Sequence, residues 1–536
     1  MTLSLACILA EAARRHPDRT AVVDGPHRET YAALWAGALS RAAVLRELGV
    51  RPGDRVALMV PNTVDFPRAY YAILAAGAVV VPVHLLLTPS EVAYVLKDSG
   101  ARLLVVDRSL AGTGAEAAWL ASVPVVGVGA AVGACDGSET GPEVPPPGAS
   151  EADAAWSSVL TRLEDLAQGV PLTTYATRHP EDPAVILYTS GTTGRSKGAV
   201  LTQLNLVMNA VVNAFDANDV GADDVVLGCL PLFHAFGQTV AMNTTFRVGA
   251  TLVLMGRFRA DRALELMAEH RATVFHGVPT MFLALTEAAA RRRPGPLALR
   301  MCVSGGAALP LAVLEAAERH LGAPVFEGYG LSETSPTAAV NQPHFGTRAG
   351  TVGHRIWGVE VEIAVPESDP PVLLPDGELG EIVVRGHNVF AGYHGLPEES
   401  AAAMADGWFR TGDLGTRDAD GFLTVVDRTK DVVIRGGFNV YPSEVEDVLM
   451  RHPAVGRVAV IGLPHPVHGE EVCAVVVPAD PAAPPDPAAI VAWAAERLGR
   501  HKYPRQVEIA DSLPLGPSIK VLKRELRRTV APAHGS

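Results

Sequence analysis

Nowhere does the 536-residue chain contain an apolar run long enough to cross a bilayer, a long cluster of lysines and arginines, or two cysteines at metal-binding spacing. Each absence excludes a class. The N-terminal stretch MTLSLACILAEAARRHPDRTA has neither a basic leader nor the length of a signal or spanning segment, and the C-terminal VAPAHGS carries no lipidation or peroxisomal address. The expectation is a soluble chain without a membrane anchor. A net charge of -13 with only 19% charged residues points away from nucleic acid and from anionic membrane surfaces. The five cysteines, Cys7, Cys135, Cys229, Cys302 and Cys473, are scattered and odd in number, which fits neither a disulfide framework nor a zinc site and suits a reducing cytoplasm. No tandem repeat appears at any period.

What is present is a large, apolar-rich chain, 48% hydrophobic, too long for one core and so expected to form two or more domains. Between residues 54 and 107, short apolar runs (RVALMV, AVVVPV, ARLLVVD) alternate with helical stretches (FPRAYYAILAAG, SEVAYVLKDSG). This alternation predicts strand–helix–strand units around a parallel sheet, an α/β fold. Further strands are expected in VVLGCLPLF, ATLVLMG, ATVFHGVP, LRMCVSGG and APVFEGYG. From about 127 to 155 the composition turns to Gly, Ala and Pro, and this segment reads as an exposed insertion loop. Its GVGAAVGAC is spaced GxGxxxG, without an acidic residue after a second strand, and is not read as a dinucleotide fingerprint. Beyond residue 427 the remaining hundred or so residues have a compact mixed pattern, expected to be a small α+β lid domain.

The densest chemical signal follows the apolar strand AVIL: YTSGTTGRSKG at 188–198. Three glycines let the backbone bend around a phosphate, the hydroxyls of Thr189, Ser190, Thr192 and Thr193 can donate to its oxygens, and Lys197 adds a positive charge. No GK[ST] closes the loop, so it is not the usual triphosphatase loop.

This segment, extended to YTSGTTGRSKGAVLTQLNL, resembles the signature loop of the superfamily containing acyl-CoA synthetases, peptide-synthetase adenylation domains and firefly luciferase. PLFHAFG at 231–237, EGYGLSETSP at 327–336, WFRTGDLG at 408–415 and DRTKDVVIRGGFNVYPSEVE at 427–446 resemble that family's further motifs in the same order, over nearly the whole chain. The resemblance implies a fold with a large N-terminal domain of parallel-sheet α/β subdomains, residues 1–427, a hinge at 428–431, a mobile α+β C-terminal domain at 432–528 and a tail at 529–536. It implies an acyl-CoA synthetase that joins a carboxylic acid to coenzyme A through an acyl-AMP, using ATP and Mg²⁺. Within it, Thr189, Ser190, Gly191, Thr192, Thr193, Gly194, Gly328, Tyr329, Ser332 and Thr334 would bind the nucleotide. Glu333, a hard oxygen ligand, would hold Mg²⁺. Asp413 would take the ribose hydroxyls, with Arg428 near the ribose and phosphate. His234 would gate the path between acyl pocket and thiol tunnel, and Gly305, Gly306, Ala307 and Gly328 would leave room for the acyl group. Lys430 would be the pivot of domain rotation. Arg435, Gly436, Gly437 and Phe438 would form the CoA tunnel, where glycines permit close backbone approach. Arg257, His501 and Lys502 are weaker candidates for CoA phosphates.

Two departures stand out. LPLGPSIKVLKREL makes Lys520 the equivalent of the family's catalytic lysine, yet Ile519 occupies the place of its preceding glycine. A β-branched residue disfavours positive φ and adds bulk to a loop that must enter a closed site. Adenylation is therefore expected to be slow in one reading, with thioesterification of a preformed acyl-adenylate from a separate adenylating enzyme as the main activity. Gln203 stands where relatives commonly carry histidine. Because HAFG offers no aspartate for an α-amine and no basic residue awaits a second carboxylate, the expected substrate is a medium or bulky apolar acid. Loading of a carrier protein, or a non-catalytic acyl- or nucleotide-binding homologue, are the alternatives.

Overall fold

The computed structural model describes residues 2–129, 160–166, 169–189, 195–292, 295–514 and 521–530. The first large sheet has six strands in the order Val125–Val128, Ala101–Asp107, Arg55–Met59, Val79–Pro82, Pro183–Thr189 and Lys197–Thr202. All its pairings are parallel except the last, an antiparallel hairpin that matches Thr189 with Lys197. Helices Asp65–Ala75 and Pro89–Asp98 make the crossovers, as the alternation of residues 54–107 requires. The second begins with a complete capping box: Thr88 and Glu91 satisfy each other's backbone amides, and Pro89 follows at the first helical position.

The expected insertion loop does not begin at residue 127. Gly127 and Val128 finish the edge strand, because Gly127 donates to the Thr161 carbonyl and accepts from the Leu163 amide. Residues 130–159, with Cys135, lie outside the described residues.

A second sheet of nine strands runs His354–Arg355, Thr337–Val340, Val325–Gly330, Met301–Ser304, Val274–Gly277, Val225–Gly228, Thr251–Leu254, Thr20–Asp24 and His27–Thr30. Its central strands are parallel and only its edge pairings are antiparallel. The five apolar segments expected to be strands in this region all are. One continuous apolar core joins both sheets. Its polar seams are closed where Tyr71 donates to Asn243 Oδ1 at 2.8 Å and Tyr70 to Gln238 Oε1 at 3.2 Å.

A third, antiparallel sheet contains Val359–Ala364, Gly380–Gly386, Trp408–Arg417, Met404–Ala405 and Leu423–Arg428. The chain then turns through Thr429–Asp431 into a last sheet of Val433–Arg435, Phe438–Val440, Val455–His465, Gly469–Pro478 and Gln506–Ile509. Helices Pro442–Leu449, Pro487–Ala495 and Lys523–Val530 accompany it, and its two cores draw only on residues after 432. No helix of the described residues is long and apolar enough to cross a membrane.

Candidate active site

The hairpin Pro183–Thr189/Lys197–Thr202 fixes both ends of the phosphate loop; Ser190, Gly191, Thr192, Thr193 and Gly194 lie outside the described residues. From the neighbouring helix, Tyr94 donates to the Ser196 carbonyl at 3.0 Å and Asp98 accepts from Tyr188 at 2.6 Å. The Lys197 ammonium lies 5.2 Å from the centre of the Tyr393 ring. That ring's hydroxyl donates to Glu333 Oε1 at 3.0 Å. Glu333 is only 9% exposed, in the short 3-10 turn Ser332–Thr334, and its own carbonyl accepts from the Phe390 amide at 2.9 Å. Burial raises its carboxyl above the ordinary range, opposed by hydrogen bonds and by the charge of Arg428.

A second group adjoins the first. Asp413, 3% exposed in the strand Trp408–Arg417, accepts from the Tyr329 hydroxyl at 2.7 Å and pairs with Arg428 Nε at 3.0 Å. Asp413 and Arg428 face each other because they are register partners on neighbouring antiparallel strands. Burial pulls the Arg428 guanidinium down, but Asp413, with Tyr329, Asp431 and Glu333 adding to it, outweighs burial and holds the group above its usual value. Thus Lys197, Glu333, Tyr329, Asp413 and Arg428, from four separated motifs, form one charged patch.

Sequence reading missed Tyr393, the link between Lys197 and Glu333, and a row of asparagines on helix Gln203–Val212 and its continuation. Asn205 Nδ2 donates to the carbonyls of His387 and Val389 at 2.7 and 3.0 Å, and Asn209 Nδ2 to that of Thr337 at 3.0 Å. Asn213 continues the row at i+4, donating to Asn209 O and Oδ1 and exchanging hydrogen bonds with the Thr337 hydroxyl. The N-x-x-x-N spacing was the available signal, since it puts three amides on one helix face. Gln203 serves elsewhere, accepting from Leu5 N at 2.7 Å and donating to Pro183 O at 3.1 Å.

His234 is half-buried, its ring centre 6.2 Å from that of His84 and 5.7 Å from that of Phe233. Gly305 and Gly328 meet beside Phe236: a Cβ on Gly305 would lie 3.1 Å from the Phe236 ring and 3.6 Å from the Gly328 carbonyl. The space expected at Gly305 is therefore already occupied by an aromatic edge. Gly306 and Ala307 are exposed at the rim.

In the C-terminal part, Arg435–Phe438 closes a hairpin whose Gly436 and Gly437 have φ of 58° and 84°, a conformation that favours glycine. Arg435 pairs with Glu471, while Phe438 is 60% exposed with its ring centre 5.1 Å from that of His501. Lys502 pairs with Glu444 at 2.8 Å. Lys430 is exposed in the turn between sheets, and Arg257 is exposed after the strand Thr251–Leu254. Ile519 and Lys520 lie outside the described residues.

Among the described residues no group of three or more His, Cys, Asp or Glu side chains could hold a metal by itself. A single buried carboxylate, Glu333, beside a phosphate loop fits Mg²⁺, which commonly takes one or two protein carboxylates and completes its shell with phosphate oxygens and water.

Comparison with known proteins agrees with this arrangement. The model of the AMP-binding enzyme family matches residues 9–394, and that of the AMP-binding enzyme C-terminal domain matches 444–520. The chain is 38% identical over 521 residues to a feruloyl-CoA synthase of an Amycolatopsis species, covering 96% of this chain and 97% of the relative. It is 34% identical to a long-chain-fatty-acid–CoA ligase of Bacillus subtilis, over 98% and 94% of the two chains. Its fold superposes on ATP-bound MatB from Rhodopseudomonas palustris with a TM-score of 0.85, 33% identity and full coverage of both chains.

Proposed function

The chain belongs to the family of AMP-binding enzymes and is an acid–thiol ligase acting through an acyl-AMP; from that premise we propose that it joins a medium or bulky apolar carboxylic acid to coenzyme A. The observation that carries the reading of the site is the convergence of Lys197, Tyr393 and Glu333 with Tyr329, Asp413 and Arg428 beside the phosphate hairpin.

In the first half-reaction a carboxylate oxygen of the acid attacks the α-phosphorus of ATP and the bond to pyrophosphate breaks. Lys197 and Lys520 offset the negative charge that spreads over the phosphate oxygens, and Thr189, Ser190, Gly191, Thr192, Thr193 and Gly194 contribute hydroxyls and amides. Mg²⁺, held by Glu333 when bound, neutralises phosphate charge. Asp413 accepts the ribose hydroxyls, Arg428 pairs with that carboxylate and holds it in place, and Tyr329, Ser332 and Thr334 line the nucleotide. In the second half-reaction the CoA thiol loses its proton to solvent, its sulfur bonds to the acyl carbon, and AMP leaves with the carboxylate oxygen. Arg435, Gly436, Gly437 and Phe438 guide the pantetheine, with Lys430 as the pivot between the two arrangements and His234 screening the adenylate from water.

Ile519, in place of glycine before Lys520, favours a second reading in which the first half-reaction is slow. One experiment addresses both. Purified protein with CoA receives either a panel of apolar acids plus Mg·ATP or the matching acyl-AMPs, and thioester is followed by mass spectrometry, with a carrier protein as parallel acceptor. Thioester by both routes means complete catalysis; thioester from adenylates alone, with acid-dependent ATP–pyrophosphate exchange raised in I519G, establishes the second reading. No thioester by either route overturns the function.

A further inference from the structure

Two helices that start at the active site end at one small cavity. Helix Gln203–Val212 leaves the phosphate hairpin and continues through π-helical turns at Asn213–Ala217. The other begins at Phe236, just after His234, runs through π-helical turns to Asn243 and ends as Thr244–Val248. Such turns are rare and are found mostly at functional sites. At about 1.5 Å per residue, the first helix puts its far end roughly 20 Å from the hairpin. There the helix Cys7–Arg15 packs on Thr244–Val248, and a cavity of about 210 Å³ opens between them.

The floor of this cavity is apolar: Ala12, Val220 and Val248 are all buried. Its rim is cationic. Phe215 is 52% exposed, and the Arg247 guanidinium lies over its ring, 4.9 Å from the centre. That contact holds the guanidinium at the rim. Its N–H donors have no carboxylate or carbonyl partner among the described residues. Arg15 stands on the opposite wall, 3.6 Å from Glu11, a carboxylate that Arg14 holds more closely at 2.6 Å. Glu11 is the one acidic residue lining the cavity among the described residues, so the rim keeps a net positive charge. Gly249, at φ 80°, ends the second helix, and only a residue without Cβ leaves the His16 ring its place against that end. An apolar floor beneath two guanidinium groups suits an anion with an apolar body, and the guanidinium fork matches a carboxylate in particular. The volume suits one aromatic ring or a short chain, since an apolar cavity of about 150 Å³ already holds benzene.

We propose that this cavity is an effector site: it binds a small carboxylate with an apolar body, and its occupancy is transmitted along the two helices to the nucleotide. The site is separate from the acyl pocket, and its test needs no turnover, so its failure and that of the ligase reading are distinguishable. The full chain is irradiated with 4-azidobenzoate over a concentration series, and the adducts are located by peptide mass spectrometry. Labelling is expected on segments 7–19, 213–222 and 244–249. Benzoate should protect them, whereas equimolar inorganic phosphate should not, having nothing to lay on the apolar floor. 4-Azidobenzamide has the same shape without the charge, and R247M keeps an unbranched side chain over Phe215; each should need about tenfold more probe for the same labelling. An unchanged melting curve for R247M shows that its fold is intact, and the benzamide comparison on wild type stands without that variant. Because coupling between two sites is reciprocal, saturating Mg·ATP should move the wild-type labelling midpoint at these segments by about fivefold or more. Labelling that is absent from these segments, is not protected by benzoate, or is equal for the benzamide or in a folded R247M overturns the site. A smaller shift with Mg·ATP overturns the effector role.

Discussion

Glu327 shows how a single buried group shapes the protein's response to pH. It is 5% exposed, accepts from the Leu309 amide at 2.9 Å, and burial pushes its carboxyl up to about 7. Because the folded-state value lies above the unfolded one, its contribution to stability is fully present at pH 4 and is lost as pH rises towards 7. Glu327→Gln keeps the acceptor and abolishes the titration, so the variant gains on wild type by on the order of 3 kcal/mol between pH 4.5 and 7.5. Urea unfolding of both proteins at several pH values checks this; a constant difference between them would contradict it. The residue is legible in the EGYG segment, but its burial is not, since an isolated carboxylate in a sequence usually signals surface.

At the scale of elements, helix Gln203–Val212 couples the phosphate hairpin to the rest of the site. It starts immediately after the strand Lys197–Thr202, and its asparagines hold the Glu333 turn and the segment leading to Tyr393. Asn209→Ala would remove one of the two side-chain donors of the Thr337 carbonyl, leaving Asn388 Nδ2 at 3.0 Å, and loosen the turn that carries Glu333, costing about 1 kcal/mol of stability. ATP–pyrophosphate exchange should fall about tenfold with a raised KM for Mg·ATP, while thioester formation from acyl-AMP changes less than about threefold. Equal losses in both half-reactions would mean that the asparagine only stabilises the fold. The helix itself follows from its apolar period and its Thr202–Asn205 capping box, but the identity of the loops it holds does not, because those lie more than a hundred residues away.

At the scale of the whole molecule, the strand Leu423–Arg428 and the strand Val433–Arg435 belong to different sheets with separate cores, joined by a short turn containing Lys430. Contacts also bridge this turn: the Ser443 amide donates to Asp427 Oδ2 at 3.0 Å, and Arg527, near the end of the chain, pairs with Asp431 at 3.6 Å. The proposed rotation of the C-terminal part would have to break these contacts or carry them along. Lys430→Pro, which fixes φ at the proposed pivot, should lower overall acyl-CoA formation about tenfold or more while at least one half-reaction, assayed alone, stays within about threefold of wild type. Parallel loss of both half-reactions would remove Lys430 from the pivot role.

The sequence by itself determined the α/β class and the family, because strand–helix alternation and the phosphate loop are local patterns whose physics is complete within a few turns of chain. It also singled out Lys197, Glu333, Asp413 and Arg428 as residue types suited to a nucleotide and its metal. Only the tertiary structure decided that Tyr393 stands between Lys197 and Glu333, that Phe236 fills the space over Gly305, and that His276 is buried without a hydrogen-bonding partner among the described residues. Those facts depend on which distant segments the sheets bring side by side, and a buried polar group takes its meaning from the partners that packing gives or denies it.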